Sequence, residues 1–76
     1  MRENLTIIEA FNLALENQKK NNYQIAINYY NEILKVKSNH ISSLNNLGLI
    51  YQNFEEIQKA TDCYKKIIEI EPNHSM

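Results

Sequence analysis

Apolar and polar residues recur along this chain with the period of amphipathic helices, and the pattern predicts four of them. Thr6 and Glu9 form a Thr-x-x-Glu capping box that opens the first helix. Asn21 and Asn22 interrupt the pattern and end that helix, since Asn tolerates turn conformations and is also a good N-cap. The other three helices are predicted at residues 23–36, 40–53 and 55–70.

Each predicted helix carries apolar residues at the spacing that would bury one of its faces. In the first two helices these residues are Ile7, Ile8, Ala10, Phe11, Ala14 and Leu15, then Ile25, Ala26, Tyr29, Tyr30, Ile33 and Leu34. In the third and fourth they are Ile41, Leu44, Leu47, Gly48, Ile50 and Tyr51, then Ile57, Ala60, Tyr64 and Ile67. Ser38 and Asn39 are expected to cap the third helix, and Pro72 ends the fourth. The pattern therefore predicts an all-α fold.

The two halves of the chain are related by a repeat of 34 residues. Residues 7–40 aligned on residues 41–74 share 11 identities in 34 positions without a gap. The repeated residues include Leu13, Leu15, Gln18, Ala26 and Tyr30, which align with Leu47, Leu49, Gln52, Ala60 and Tyr64. A fixed period of this length is the signature of a repeat architecture and argues against a plain four-helix bundle.

The second half resembles the tetratricopeptide repeat (TPR), whose pattern is an aromatic-x₂-Leu-Gly-x₂-Tyr, later Ala-x₃-aromatic and then Pro. It reads Leu44-x₂-Leu47-Gly48-x₂-Tyr51, Ala60-x₃-Tyr64 and Pro72, with Leu44 in place of the opening aromatic. The first half resembles the pattern less closely and reads Ala10-x₂-Leu13-Ala14-x₂-Asn17, Ala26-x₃-Tyr30 and Ser38. The resemblance covers nearly the whole chain.

The resemblance implies one TPR domain over residues 1–76, with a first repeat at 7–40 and a second at 41–74. The two repeats would stack as four antiparallel helices of an α-solenoid. In the family the two helices of a repeat cross closely at small residues. The expected helix-packing pairs are Ala14 with Ala26 and Gly48 with Ala60.

Gly48 is the one glycine of the chain, and it falls inside a helix, where Gly costs about 1 kcal/mol relative to Ala. A close helix crossing at Gly48 and Ala60 would offset that cost. We therefore expect replacement of either residue by Leu to overpack the crossing, at about 1–3 kcal/mol.

Composition and charge argue against several classes of partner. The net charge is −1, and the 8 basic residues form no stripe of the kind that nucleic-acid binders carry. The tyrosines fall mostly at core positions of the repeat rather than on a stacking platform. No apolar run approaches the ~18 residues of a membrane span. Lone Cys63 excludes an internal disulfide, and the expected location is the cytoplasm.

No residue set predicts an enzyme, a cofactor or a metal. The chain lacks a glycine-rich phosphate loop, and Cys63 is expected to be a partly buried or surface thiol rather than a nucleophile. His40 and His74 occupy equivalent places in the two repeats, which puts them about 10 Å or more apart and too far for one ion. Glu69 and Glu71 are expected at a solvated helix end.

The resemblance implies a non-catalytic scaffold or adaptor, because first helices of TPR arrays line a concave groove that holds a peptide or helix. The expected peptide-binding residues are Phe11, Leu15, Gln18, Asn45, Asn46, Leu49 and Gln52. The alternative for Leu15 and Leu49 is packing between adjacent first helices. Asn46 matches the Asn of the family's carboxylate clamp, but Phe11 and Leu15 stand where that clamp has Lys and Asn, so no clamp is expected.

The main alternative function is self-assembly. In the family the second helix of a repeat packs on the next repeat, and here Tyr64, Ile67, Ile68 and Ile70 would lack that neighbour. Exposed apolar faces of this kind usually mark an interface. We therefore expect either a homo-oligomer formed through the fourth helix or a unit cut from a longer TPR protein.

Overall fold

The computed structural model describes residues 5–73, which form four α-helices and no strand. The helices are α1 (Ile7–Lys19), α2 (Tyr23–Val36), α3 (Ile41–Asn53) and α4 (Ile57–Ile70). α1 packs against α2 and α3 against α4, so each half is a helical hairpin. The chain divides into two compact units between Ser38 and Asn39, close to the predicted repeat boundary. The all-α prediction of two helical hairpins is confirmed.

The predicted capping box at the start of α1 is present. The Glu9 backbone N–H donates to the Thr6 hydroxyl oxygen at 3.0 Å, and the Thr6 backbone N–H donates to the Glu9 carboxylate at 2.9 Å. Two of the N–H groups that a helix start leaves without intrahelical acceptors are thereby satisfied.

The third helix is capped differently from the prediction. Its N-cap is His40, whose Nδ1 accepts a hydrogen bond from the Ser43 backbone N–H at 3.2 Å. Ser38 and Asn39 therefore do not cap it, and the helix begins at Ile41. The prediction was wrong because His carries an acceptor nitrogen at the same reach as the oxygen of Asn.

Two further helix starts differ from the sequence pattern. Asn22 is the N-cap of α2, but its side chain makes no capping bond and donates to the Asn17 side-chain oxygen at 3.3 Å. α4 begins at Ile57, two residues later than predicted, because the turn before it extends through Glu55 and Glu56.

Both hairpin turns close in the same way, with a left-handed residue after the first helix. Asn21 has φ 66° and Glu55, its equivalent, has φ 61°. In the first turn the Asn21 N–H donates to the Gln18 carbonyl at 3.0 Å and the Asn22 N–H to the Asn17 carbonyl at 2.8 Å. These two bonds make a Schellman motif.

The second turn repeats these bonds residue for residue. The Glu55 N–H donates to the Gln52 carbonyl at 3.0 Å, and the Glu56 N–H donates to the Tyr51 carbonyl at 2.8 Å. Each motif satisfies carbonyl groups that the helix end leaves without partners. Glu55 carries a steric cost in this conformation that Asn21 largely avoids.

The buried apolar residues come from all four helices: Ala10, Ala14, Ala26, Tyr30, Ile33, Leu44, Leu47, Ile50, Ala60 and Ile67. Three residues expected on buried faces are instead exposed: Ile8 at 73%, Ile25 at 46% and Ile57 at 60%. The buried faces predicted from sequence were too wide. One neighbouring helix covers a narrower stripe of a helix than the stripe along which its apolar residues are spaced. No helix within residues 5–73 is long and apolar enough to cross a membrane.

Candidate functional site

The four predicted helix-packing residues, Ala14, Ala26, Gly48 and Ala60, are all buried. The neighbour that limits Gly48 is nevertheless Tyr64. A Cβ added at Gly48 would lie 2.7 Å from Cζ and 2.8 Å from Cε1 of that ring, closer than any atom of Ala60. The pairing of Gly48 with Ala60 therefore stays a prediction, and the side chain nearest to the glycine is the ring of Tyr64.

A tyrosine of the second helix bonds to a glutamine of the first helix in each hairpin. The Tyr30 hydroxyl donates to the Gln18 side-chain oxygen at 2.6 Å, and the Tyr64 hydroxyl donates to the Gln52 side-chain oxygen at 3.2 Å. Both glutamines and both tyrosines recur at the 34-residue period, so the signal for this pair was present in the sequence.

The predicted peptide-binding residues all lie on the first helix of their hairpin, and none is buried. Five are half-buried, namely Phe11, Leu15, Gln18, Asn45 and Asn46, whereas Leu49 and Gln52 are exposed. In the first hairpin the Phe11 ring also packs on Tyr30, with ring centroids 5.7 Å apart and planes tilted by 60°. The structure thus leaves a surface on each first helix that another molecule can reach.

These surfaces follow one spacing along each first helix, at i, i+3, i+7 and i+10, which is one helical face. The α1 stripe is Ile8, Phe11, Leu15 and Gln18, and the α3 stripe is the equivalent Ser42, Asn45, Leu49 and Gln52. Sequence reasoning placed Ile8 in the core and did not single out Ser42.

The stripes carry no Asp, Glu, Lys or Arg. The charged residues of α1 lie outside its stripe. Glu9 takes part in the capping box, and Glu16 forms an ion pair with Lys20 at 3.1 Å. Lys19 follows the last residue of the stripe. α3 contains no charged residue in its 13 positions. The electrostatic character of both stripes is therefore neutral.

The predicted self-association residues are not all available on α4. Ile67 is fully buried and belongs to the core, so its assignment to an exposed face was wrong. It lies on the α4 side that packs against α3, since it continues the buried spacing from Ala60. Ile68 is 49% exposed, and Tyr64 and Ile70 are half-buried. Together with exposed Ile57, the residues Tyr64 and Ile68 form one side of the helix, here called the α4 face.

In the described part of the chain the nucleophilic and metal-ligating side chains do not cluster. Cys63 is half-buried; burial raises the pKa of its thiol, and the neighbouring Asp62 carboxylate raises it further. Across residues 5–73 no three His, Cys, Asp or Glu side chains come together as a metal site would require. The predicted relation of His40 to His74 cannot be followed, because His74 lies outside the described residues.

Comparison with known families gives two adjacent matches to the same repeat. Residues 41–74 and residues 10–40 each match a family model described as tetratricopeptide repeat. Each segment falls on one hairpin, although the match to the first hairpin begins at Ala10, three residues after the start of α1. The match at residues 41–74 has the bounds of the predicted second repeat.

Two curated proteins are similar to part of the chain. One is the uncharacterized protein ycf37 of Porphyra purpurea, 36% identical over 52 residues, which are 68% of this chain and 30% of that protein. The other is the uncharacterized protein ycf37 of Pyropia yezoensis, 33% identical over 49 residues, which are 64% of this chain and 28% of that protein. The match thus spans less than a third of each relative's length. No solved structure matches the chain significantly.

The family matches, the 34-residue period and the two helical hairpins agree in position. Both hairpins also close with the same turn and the same tyrosine–glutamine bond. The chain is therefore a member of the tetratricopeptide repeat family.

Proposed function

We propose that the chain is a non-catalytic protein-interaction module, a scaffold or adaptor, in which the stripe on the first helix of each hairpin binds a peptide of a partner protein. The observation that carries this proposal is a leucine at the same stripe position in both hairpins. Leu49 is 45% exposed and Leu15 is half-buried. An apolar side chain held at the surface in repeated positions is a natural anchor for an apolar group of a ligand.

The surroundings of the two leucines support the same reading. Amide side chains flank Leu49 on its stripe, at Asn45 and Gln52, and they can donate to and accept from a peptide backbone. Phe11 adds an aromatic surface beside Leu15. An apolar anchor bordered by amides suits peptide binding better than catalysis, which requires a convergent set of titratable groups.

The experiment is selection of a phage-displayed random peptide library on the full chain, followed by synthesis of an enriched peptide and titration by fluorescence anisotropy. Replacement of Leu15 or Leu49 by Ser should weaken binding about fivefold or more, since each removes an apolar anchor. The matched control is Ile25→Ser, an exposed isoleucine of α2 outside both stripes, which should bind like the parent. Absence of any enriched peptide would refute the proposal.

A second function, self-assembly through the α4 face, is favoured by a separate observation. Ile57 and Ile68 are both about half exposed or more on one side of α4, with Tyr64 between them. Apolar side chains that share a helix side and remain in contact with water favour association with a second surface of the same kind.

Light scattering over a hundredfold range of concentration tests this second function. If the α4 face is an interface, the parent chain forms a dimer or larger species, and Ile68→Asp returns it to a monomer. Ile25→Asp adds the same charge to an exposed isoleucine of α2 and should leave the oligomer unchanged. A monomeric parent at every concentration would contradict self-assembly and leave peptide binding as the function.

A further inference from the structure

We infer that the α4 face pairs with the α4 face of a second copy of the chain in antiparallel orientation, with the Lys65 ammonium of each copy against the Asp62 carboxylate of the other. This inference rests on the proposed self-assembly through the α4 face and specifies how the two copies meet. It follows from the spacing of the α4 face and from the order of the charges beside it.

The first observation is the spacing of the α4 face. Ile57, Tyr64 and Ile68 follow one another, with exposed Thr61 between the first two, at intervals of four, three and four residues. The mean interval is close to the ~3.5 residues at which two helices pack side by side with interdigitating side chains. A second helix with the same spacing fits between these side chains, and α4 of another copy is such a helix.

The second observation is a row of polar side chains along one edge of the α4 face, here called the α4 flank. The row repeats the spacing of the face one residue further along, about 100° around the helix, and consists of Gln58, Asp62, Lys65 and Glu69. All of its side chains are exposed. The opposite edge of the face is different, because Ala60 and Ile67 are buried there.

The charges of the α4 flank are not neutralised within the chain. Within residues 5–73 neither Lys65 nor Glu69 takes part in an ion pair. Asp62 accepts a hydrogen bond from the Gln58 side-chain amide at 3.0 Å, which leaves its negative charge in place. The flank therefore presents a positive charge between two negative ones, and a second surface with the matching order can pair them.

The order of these charges matches the same flank read in reverse. A two-fold axis across α4, midway between residues 62 and 65, brings the flanks of two copies together in antiparallel order. Lys65 of each copy is then level with Asp62 of the other, and the Gln58 amide is level with the Glu69 carboxylate, which can accept from it. The same axis sets the side chains of one α4 face between those of the other.

A parallel pair would not use these charges. In that orientation the flank of one copy meets the opposite edge of the face in the other copy, where buried Ala60 and Ile67 offer no charge. Lys65 would then lose water without gaining a carboxylate, which is unfavourable. Electrostatic complementarity therefore favours the antiparallel pair. Because both copies use the same surface, the assembly closes as a dimer.

Charge reversal on the α4 flank tests this pairing and leaves the apolar side chains of the α4 face unchanged. Asp62→Lys brings only positive charges together across the axis, and Lys65→Asp brings only negative ones. Each variant alone should dimerise about tenfold more weakly than the parent at about 50 mM NaCl in sedimentation velocity, and the difference should shrink at about 500 mM. An equimolar mixture of the two should form a heterodimer with about the affinity of the parent, since opposite charges meet again.

Two further chains serve as controls. The double variant Asp62→Lys/Lys65→Asp exchanges the two charges within one chain and should dimerise like the parent. Lys66→Asp reverses the charge of an exposed residue on the far side of α4 from the face and should dimerise like the parent as well. Circular dichroism of each variant checks that the helices are retained.

The outcomes separate this inference from the proposed self-assembly. Single reversals that dimerise like the parent, a mixture that does not associate, or a parent that grows beyond a dimer would each overturn the antiparallel pairing and leave self-assembly standing. A parent that is monomeric at every concentration would overturn both and leave the α4 face to a partner other than this chain.

Discussion

The hydroxyl of Tyr30 lies 2.6 Å from the side-chain oxygen of Gln18 and joins the two helices of the first hairpin through a short hydrogen bond. The equivalent bond between Tyr64 and Gln52 is longer, at 3.2 Å, and Tyr64 is only half-buried whereas Tyr30 is fully buried. The same residue pair therefore occupies two different environments within one chain.

This difference predicts unequal losses when the hydroxyl is removed. Tyr30→Phe leaves the side-chain oxygen of half-buried Gln18 without its donor and should lower the free energy of unfolding by about 1 kcal/mol. Tyr64→Phe should cost less, because water can replace the lost donor at Gln52. Urea unfolding measures the loss of free energy of unfolding in each variant. A larger loss for Tyr64→Phe than for Tyr30→Phe would contradict this expected order.

A methyl group at Gly48 should force the far end of the Tyr64 ring to shift. Gly48→Ala gains about 1 kcal/mol of helix propensity, but its Cβ would lie 2.7 Å from the Tyr64 ring, and displacing that ring costs about 1–3 kcal/mol. We expect a net loss of stability in thermal or urea unfolding.

A second background separates the two contributions. In a Tyr64→Ala chain the ring is absent, so Gly48→Ala should become stabilising by about 1 kcal/mol. A Gly48→Ala effect that is the same in both backgrounds would show that the ring does not limit this position.

Glu55 is the residue of the second turn that the left-handed conformation disfavours. Glu55→Asn should raise the free energy of unfolding by about 0.5–1 kcal/mol, because Asn tolerates a positive φ and is a favoured residue after a helix end. Asn21→Glu makes the reverse change in the first turn and should destabilise by a similar amount. Equal stability of all three chains in urea would contradict the argument.

His40 should be replaceable only by another capping residue. His40→Ala removes the acceptor for the Ser43 N–H and should cost about 1 kcal/mol, the usual worth of an N-cap. His40→Asn restores an acceptor and should recover most of that loss. The measurement is urea unfolding, and identical stability of the Ala and Asn variants would exclude a capping role.

Cys63 should react slowly with alkylating reagents at neutral pH. Burial and then the Asp62 carboxylate raise the pKa of its thiol, so the reactive thiolate is scarce. We expect iodoacetamide to modify the folded chain several-fold more slowly than the urea-unfolded chain at pH 8. Asp62→Asn should slightly reduce this difference between the two rates. Equal rates of alkylation in the folded and unfolded chains would contradict a raised pKa of the Cys63 thiol.

The same shift sets the sign of a pH effect on stability. The folded pKa lies above that of the unfolded chain, so the unfolded chain loses the proton first as pH rises. The contribution of Cys63 to stability is therefore complete below about pH 8.5 and is lost above it.

The helices, the capping box and the repeat were predictable from sequence because they depend on local spacing. The exposure of Ile8 and Ile57 was not, because periodicity identifies the apolar side of a helix but not how much of it a neighbour covers. The contact of Gly48 with Tyr64 depends on where a ring points, which no spacing specifies. The candidate peptide-binding residues were placed on the correct helices, and their binding remains a prediction.

The two turns have a consequence for how the chain folds. Each hairpin is closed by a connection of only three residues between its helices, residues 20–22 and 54–56. Bringing the ends of so short a segment together costs little chain entropy, and the contacts that follow form between residues near one another in sequence. Chains with such local contacts cross their folding barrier in microseconds to milliseconds. Each hairpin can thus serve as its own nucleus.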